Sequence, residues 1–221
     1  MAEFDEPAAM NTLLLTAQET PGFWPQSLAE NWLALAAAAA AVFAFFHALH
    51  QYQEGLRWKR ARFLGRQYAK FRADPKVAAA FALLDQYDQR SVVLFPDADD
   101  QRKNSRVIAV TQVVTALAET DPDNLPDARD YDAIRDCFDA FFDGLEGFEC
   151  YLIADVIDQK HLANLLEYWV RQFADGNKSK KGPLFVRAAR GYVMKWYPGE
   201  VQNLCHRFGC GFPQATPAQT P

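Results

Sequence analysis

The first 56 residues contain no lysine and no arginine. That speaks against a cleaved secretory leader, whose positive charges precede its apolar run. Catalytic signatures are missing as well. There is no Glu-x-x-His, the pair that carboxylate-bridged metal bundles take from each of two helices. There is no His-Glu-x-x-His, no Gly-x-Ser-x-Gly and no glycine-rich phosphate loop, so the commonest metalloprotease, hydrolase and nucleotide-binding patterns are excluded. Cysteines number four, without framework spacing, which excludes a disulfide scaffold and leaves free, mostly buried thiols as the expectation. Cys205, His206 and Cys210 form Cys-His-x-x-x-Cys, but Cys137, Cys150 and His161 supply no second close pair for zinc. The aspartates at 121, 123, 127, 130 and 132 imitate a calcium loop. Leu125 and Pro126 stand where that loop needs a ligand and a glycine. No internal repeat is present. No catalytic residue, metal or cofactor is therefore expected.

What is present is strongly partitioned. Half of the 221 residues are hydrophobic and 14% are aromatic, so a packed core is expected. Residues 1–30 carry five acids and no base. Residues 55–73 carry seven bases (Arg57, Lys59, Arg60, Arg62, Arg66, Lys70, Arg72) and no acid. From residue 74 onward 22 acids face 16 bases, a balance of −6. A short basic stripe between acidic regions is a local device, and an acidic body repels nucleic acid.

Trp32 to Leu49 is a run of 18 residues without formal charge. As a helix it covers about 27 Å, close to the roughly 30 Å hydrocarbon core of a bilayer. Leu33, Leu35, Val42, Phe43, Phe45, Phe46 and Leu49 together favour insertion by roughly 2 to 4 kcal/mol, while alanine adds little. Trp24 and Trp32 flank one end and Tyr52 and Trp58 the other, as an aromatic belt places them. The basic stripe follows at once. The positive-inside rule then puts the C-terminal body in the cytoplasm, at the inner membrane, and the N-terminus outside. Small residues at 36–41 permit close approach of two such helices and hence a homo-oligomer. His47 and His50 share a face at the inner end. They fit interfacial histidines among aromatics better than ligands of a shared haem or metal. The competing reading of the whole run is an alanine-rich helix buried in a soluble bundle, since alanine is the best helix former.

The expected organisation is an acidic extracytoplasmic segment (1–30), a transmembrane helix (31–52), a basic juxtamembrane stalk (53–73), a cytoplasmic helical domain (74–210) and a flexible tail (211–221). Arg57, Lys59, Arg60, Arg62 and Arg66 are placed to meet anionic head groups, at roughly 1 kcal/mol each. Asp74-Pro75 ends the stalk and caps the next helix, 77–89. Residues 105–119 are read as a helix on length and flanks, although their β-branched content favours a strand. In the long stretch 131–158, Ile134, Phe138, Phe141, Leu145, Phe148, Leu152 and Val156 recur at steps of three and four, one apolar helical face. Asp158 caps the next helix, whose inward face is Leu162, Leu165, Leu166, Trp169 and Phe173. One or two shorter helices complete an all-α bundle of about five helices docked on the apolar side of the stalk.

Leu145-Glu146-x-Phe148-Glu149-x-Tyr151, followed by the turn Ile153 to Asp158 and an amphipathic helix carrying Trp169, resembles a bacterial family of small, single-pass, all-helical proteins of unknown function. The similarity spans roughly residues 76–200. It implies an architecture and carries no catalytic residues.

Glu146 and Glu149 share a helix face. The expected role of Glu149 is structural, a carboxylate paired with an arginine of the last helices such as Arg187 or Arg190. The alternative is a membrane-tethered enzyme or metal protein using Glu146, Glu149 and His161. The reading adopted is a single-pass membrane protein whose helical module binds a protein partner as adaptor, assembly factor or accessory subunit.

Overall fold

A computed structural model describes residues 32–85, 89–94, 105–118 and 128–212, without the side chains of Leu33 and Arg90. The acidic segment 1–30, the acidic loop around Pro96 and most of the expected tail lie outside the described residues. Among the described residues there are seven helices and one hairpin. They are α1 (Trp32–Ala73), α2 (Pro75–Asp85), β1 (Gln89–Val93), β2 (Ser105–Ala109), α3 (Val110–Ala118), α4 (Ala128–Ile153), α5 (Gln159–Ala174), α6 (Pro183–Trp196) and α7 (Glu200–Arg207). The architecture is predominantly α-helical, as the periodicities require. The chain forms two compact units, Met1–Gln53 and Glu54–Pro221.

In the first unit, every described side chain from Trp32 to Gln53 is exposed. The alanine run favours the helix by its propensity.

The second unit is built around α4. Ile134, Phe138, Phe141, Phe142, Leu145 and Phe148 form its buried stripe. The body half of α1 runs antiparallel along it, as three contacts show. Arg60 reaches Asp155, Phe63 meets Tyr151 with ring centroids 5.1 Å apart, and Phe71 meets Phe148 at 5.4 Å and Phe141 at 5.8 Å. Leu64 and Phe71, seven apart on one stripe, are the buried anchors of α1. Gly144 makes this approach possible, because a Cβ there would collide with the Phe71 ring.

Asp74 ends α1 and starts α2 in one residue. Its Oδ1 accepts from the backbone N–H of Lys76 at 2.8 Å and of Val77 at 3.3 Å, and Pro75 occupies the first helical position. Phe81 of α2 joins the aromatic cluster, 5.4 Å from Phe141 and 4.6 Å from Trp169. Edge-to-face pairs of this kind add about 0.5 to 1.5 kcal/mol each beyond burial.

The helix expected over 105–119 begins only at Val110. Residues 105–109 form β2, antiparallel to β1 with Ser91 opposite Val107. The reason is alternation: Ile108 is buried while Val107 is exposed, and Val92 on β1 is buried too. Period two presents one face of a strand to the core, and β-branched residues fit it. Gln112 then caps the turn into α3, its Oε1 accepting from the Ala109 N–H at 2.8 Å.

The expected apolar face of 131–158 also ends early. Leu152 is half-buried and Val156 is exposed, because α4 stops at Ile153. A Schellman-type turn closes it, with Val156 N–H to Tyr151 O at 2.9 Å and Asp155 N–H to Leu152 O at 3.1 Å. Asp155 takes the left-handed position at φ 53°. Aspartate tolerates that position better than most residues. Asp158 then caps α5, accepting from the N–H groups of Lys160 and His161 at 2.9 and 3.1 Å. These bonds hold its carboxyl below the ordinary range, the His161 N–H contributing most. Leu162, Leu166, Val170 and Phe173 of α5 are buried, whereas Leu165 and Trp169 are half-buried.

Candidate functional site

The expected anchor residues Trp32, Leu35, Val42, Phe43, Phe45, Phe46 and Leu49 all stand exposed on α1, and the side chain of Leu33 lies outside the described set. Ala34–Ala73 is long and apolar enough to cross a membrane, and none of its apolar window is buried. His47 stacks on Phe43 and lies 3.1 Å from Gln51 Nε2.

Along the basic stripe, Arg57, Lys59, Arg62 and Arg66 are exposed, whereas Arg60 is half-buried and bonds Asp155 at 2.6 Å. Lys70 is exposed, and Arg72 covers the Phe81 ring at 5.3 Å. The expected head-group set is therefore divided. Four of the five cations keep exposed heads, and Arg60 also ties the α4–α5 turn to α1.

Glu149 is fully buried, and its partner is neither Arg187 nor Arg190. Arg207 of α7 donates Nε to both of its oxygens at 2.8 and 3.0 Å. Arg190 instead donates to the Gly211 carbonyl and covers Phe212 at 5.0 Å. Geometry decides this. The Glu149 carboxylate faces α7, and Arg190 points toward the chain beyond α7. Nothing in the sequence ranks Arg207 above the other two arginines.

Glu146, Glu149 and His161 do not share a site. Glu146 lines a cleft with Asp143, Glu149 is consumed by Arg207, and His161 lies against Asp158 at 3.3 Å. Among the described residues no three metal-competent side chains gather. Cys205 and Cys210 are buried while His206 between them is exposed. Burial pushes both thiols upward, and it raises that of Cys137 to about 12.

Two surfaces of the body escape sequence reasoning. The first is an open groove of about 460 Å³ between α3 and α6. Val114, Leu117 and Ala188 form its floor. Leu184, 71% exposed, and Trp196, 57% exposed, stand on its rim with Arg187 and Lys195. Lys195 Nζ lies 4.5 Å over the Trp196 ring. The second is an acidic cleft lined by Asp132, Asp136, Asp139, Asp143 and Glu146 of α4. Asp139 accepts hydrogen bonds from Tyr192 at 2.7 Å and Tyr197 at 2.9 Å. Burial first, and the bond to Asp139 second, push both phenols well above their ordinary range. Burial, then Glu200 and Asp143, raise the Glu146 carboxyl. The tyrosines seat α6 on α4, so this wall is structural where it meets the groove.

Comparison with known proteins identifies no relative. The chain matches no family model, and no curated protein or solved structure is significantly similar to it.

Proposed function

We propose that this is a single-pass membrane protein whose helical body binds a protein partner. The observation that carries the reading is the contrast within α1: its first half is apolar and exposed on every side, while the body has closed its own core. A helix with seven large apolar residues that no described residue buries is matched by lipid. The seven bases after the span and the absence of any before it favour a cytoplasmic body at the inner membrane. The alanine-rich stretch at 36–41 favours self-association in the bilayer.

The partner is met at the α3–α6 groove. Apolar side chains of a partner segment fill it beside Leu184 and Trp196, and an acidic residue of that segment meets Arg187 and Lys195. This is adaptor or accessory-subunit work and assigns no catalysis.

Alkaline carbonate extraction of native membranes tests the anchor: the protein stays in the pellet, and its release into the wash ends the reading. Photo-crosslinking from position 184 tests the groove. A discrete adduct with a second protein, lost on Trp196→Ala while the fold is retained, is the expected result. An adduct unaffected by that substitution places the partner elsewhere.

A further inference from the structure

The α4–α5 turn exposes apolar side chains that the core does not need. Ile153 is 62% exposed and Val156 37% exposed. Both flank Asp155, whose left-handed backbone and bond to Arg60 fix the turn against α1. The contacts along α1 are ordered: Arg60 with Asp155, Phe63 with Tyr151, Phe71 with Phe148. The turn therefore lies at the end of the body where α1 enters it. At the same end, Arg57, Trp58 and Ala61 of α1 share a cleft with Asp158, Lys160 and His161 of α5. Trp58 is 76% exposed.

Eight residues of chain lie between Leu49 and Trp58, so in sequence this cleft follows closely on the end of the apolar run. The local charge is also suited. Arg57, Lys59, Arg62 and Lys160 have exposed heads. Among the nearby acids, Glu54 lines the same cleft, Asp155 is held by Arg60 and Asp158 by the α5 backbone and His161, so the four exposed cations outnumber these three carboxylates. An exposed Trp and Ile ringed by Lys and Arg is the composition of a surface that seats itself among anionic head groups.

Building on the proposed span, we infer that the body makes a second contact with the same leaflet. The α4–α5 turn and Trp58 enter the interface, and Arg57 and Lys160 meet lipid phosphates. The partner is an anionic lipid surface. The span supplies attachment, and this contact fixes how the body stands on the membrane.

Depth-resolved fluorescence quenching on the full chain tests it. Cys150, the exposed thiol, is replaced by serine. An environment-sensitive dye is then attached in separate proteins as Ile153→Cys, as Phe45→Cys in the span, and as Lys178→Cys beyond the far end of α5. The proteins are reconstituted into vesicles of phosphatidylethanolamine and phosphatidylglycerol carrying nitroxide lipids. The expected result is loss of intensity at 45 with a deep nitroxide, loss at 153 with a shallow one, and no loss at 178. In vesicles of phosphatidylcholine alone, quenching at 153 weakens while that at 45 persists. A position 153 as unquenched as 178, with 45 quenched, overturns the second contact and leaves the span intact. An unquenched 45 removes the span and this inference together. Equal quenching at 153 in both lipid mixtures overturns the role given to Arg57 and Lys160.

Discussion

The two halves of α1 are made of similar helix-forming material and meet opposite fates. Before Gln53 the apolar residues are spread round the helix, and none is buried. After Glu54 they narrow to a stripe, with Leu64 and Phe71 buried and Phe63 and Tyr68 half-buried against the core. The number of apolar side chains and their angular spread together decide the surroundings each half needs. A stripe can be satisfied by one neighbouring helix, whereas a sleeve needs a solvent of matching polarity on all sides.

The largest effect that would sharpen this contrast comes from charging the sleeve. Val42→Arg with Phe45→Arg should cost insertion about 6 to 8 kcal/mol, from the per-residue difference between arginine and an apolar residue at mid-span. The double variant should wash off membranes in carbonate while the thermal unfolding of the body is unchanged. A lowered melting point would mean that the first half also supports the core, and the contrast would break.

Next comes a cut in the stripe's destination. Phe142 touches Phe138, Phe141, Phe173, Tyr192 and Tyr197. Phe142→Ala should lower unfolding free energy by about 3 to 5 kcal/mol in urea titration, with membrane retention preserved.

Arg207→Ala should cost about 2 to 3 kcal/mol. It leaves the buried Glu149 carboxylate without its partner, and the half-exposed arginine keeps the loss below that of a fully enclosed pair. Glu149→Gln, which removes the charge itself, should cost less in the same titration.

The smallest effect concerns pH. Burial lowers Lys181 to about 8 from 10.5, against a weaker upward pull from Asp85. Its Nζ is buried without a hydrogen-bond partner. The unfolded chain then binds more protons between about pH 8 and 10.5, so stability should rise with pH across that window and stay at its lower level below it. Lys181→Met should flatten the rise and stabilise the body at pH 7 by about 1 to 3 kcal/mol. A pH profile identical to that of the parent chain would show that the ammonium already reaches water.

Much of the architecture was legible because it is periodic. The stripe of α4, the Asp158 cap and the Asp74-Pro75 junction each rest on local spacing that the folded chain keeps. The failures were long-range or short. The hairpin was missed because the five residues Ser105 to Ala109 look like the start of α3 until Ser91 and Val92 are placed opposite. Arg207 was missed because choosing among three arginines on neighbouring helices depends on the rotation of α7 about its axis. The α3–α6 groove was invisible for the same reason: Leu184 and Trp196 are twelve residues apart, and only packing shows that one concavity joins them.

One small joint has a mechanical corollary. Ala73 ends one helix and Pro75 begins the next, with a single aspartate between them that is already bonded to both N–H groups it can reach. Such a link has no slack. A twist of residues 54–73 would press first on α2, whose Phe81 is wedged among Phe71, Phe141 and Trp169. The ring contacts, rather than the joint, would have to yield.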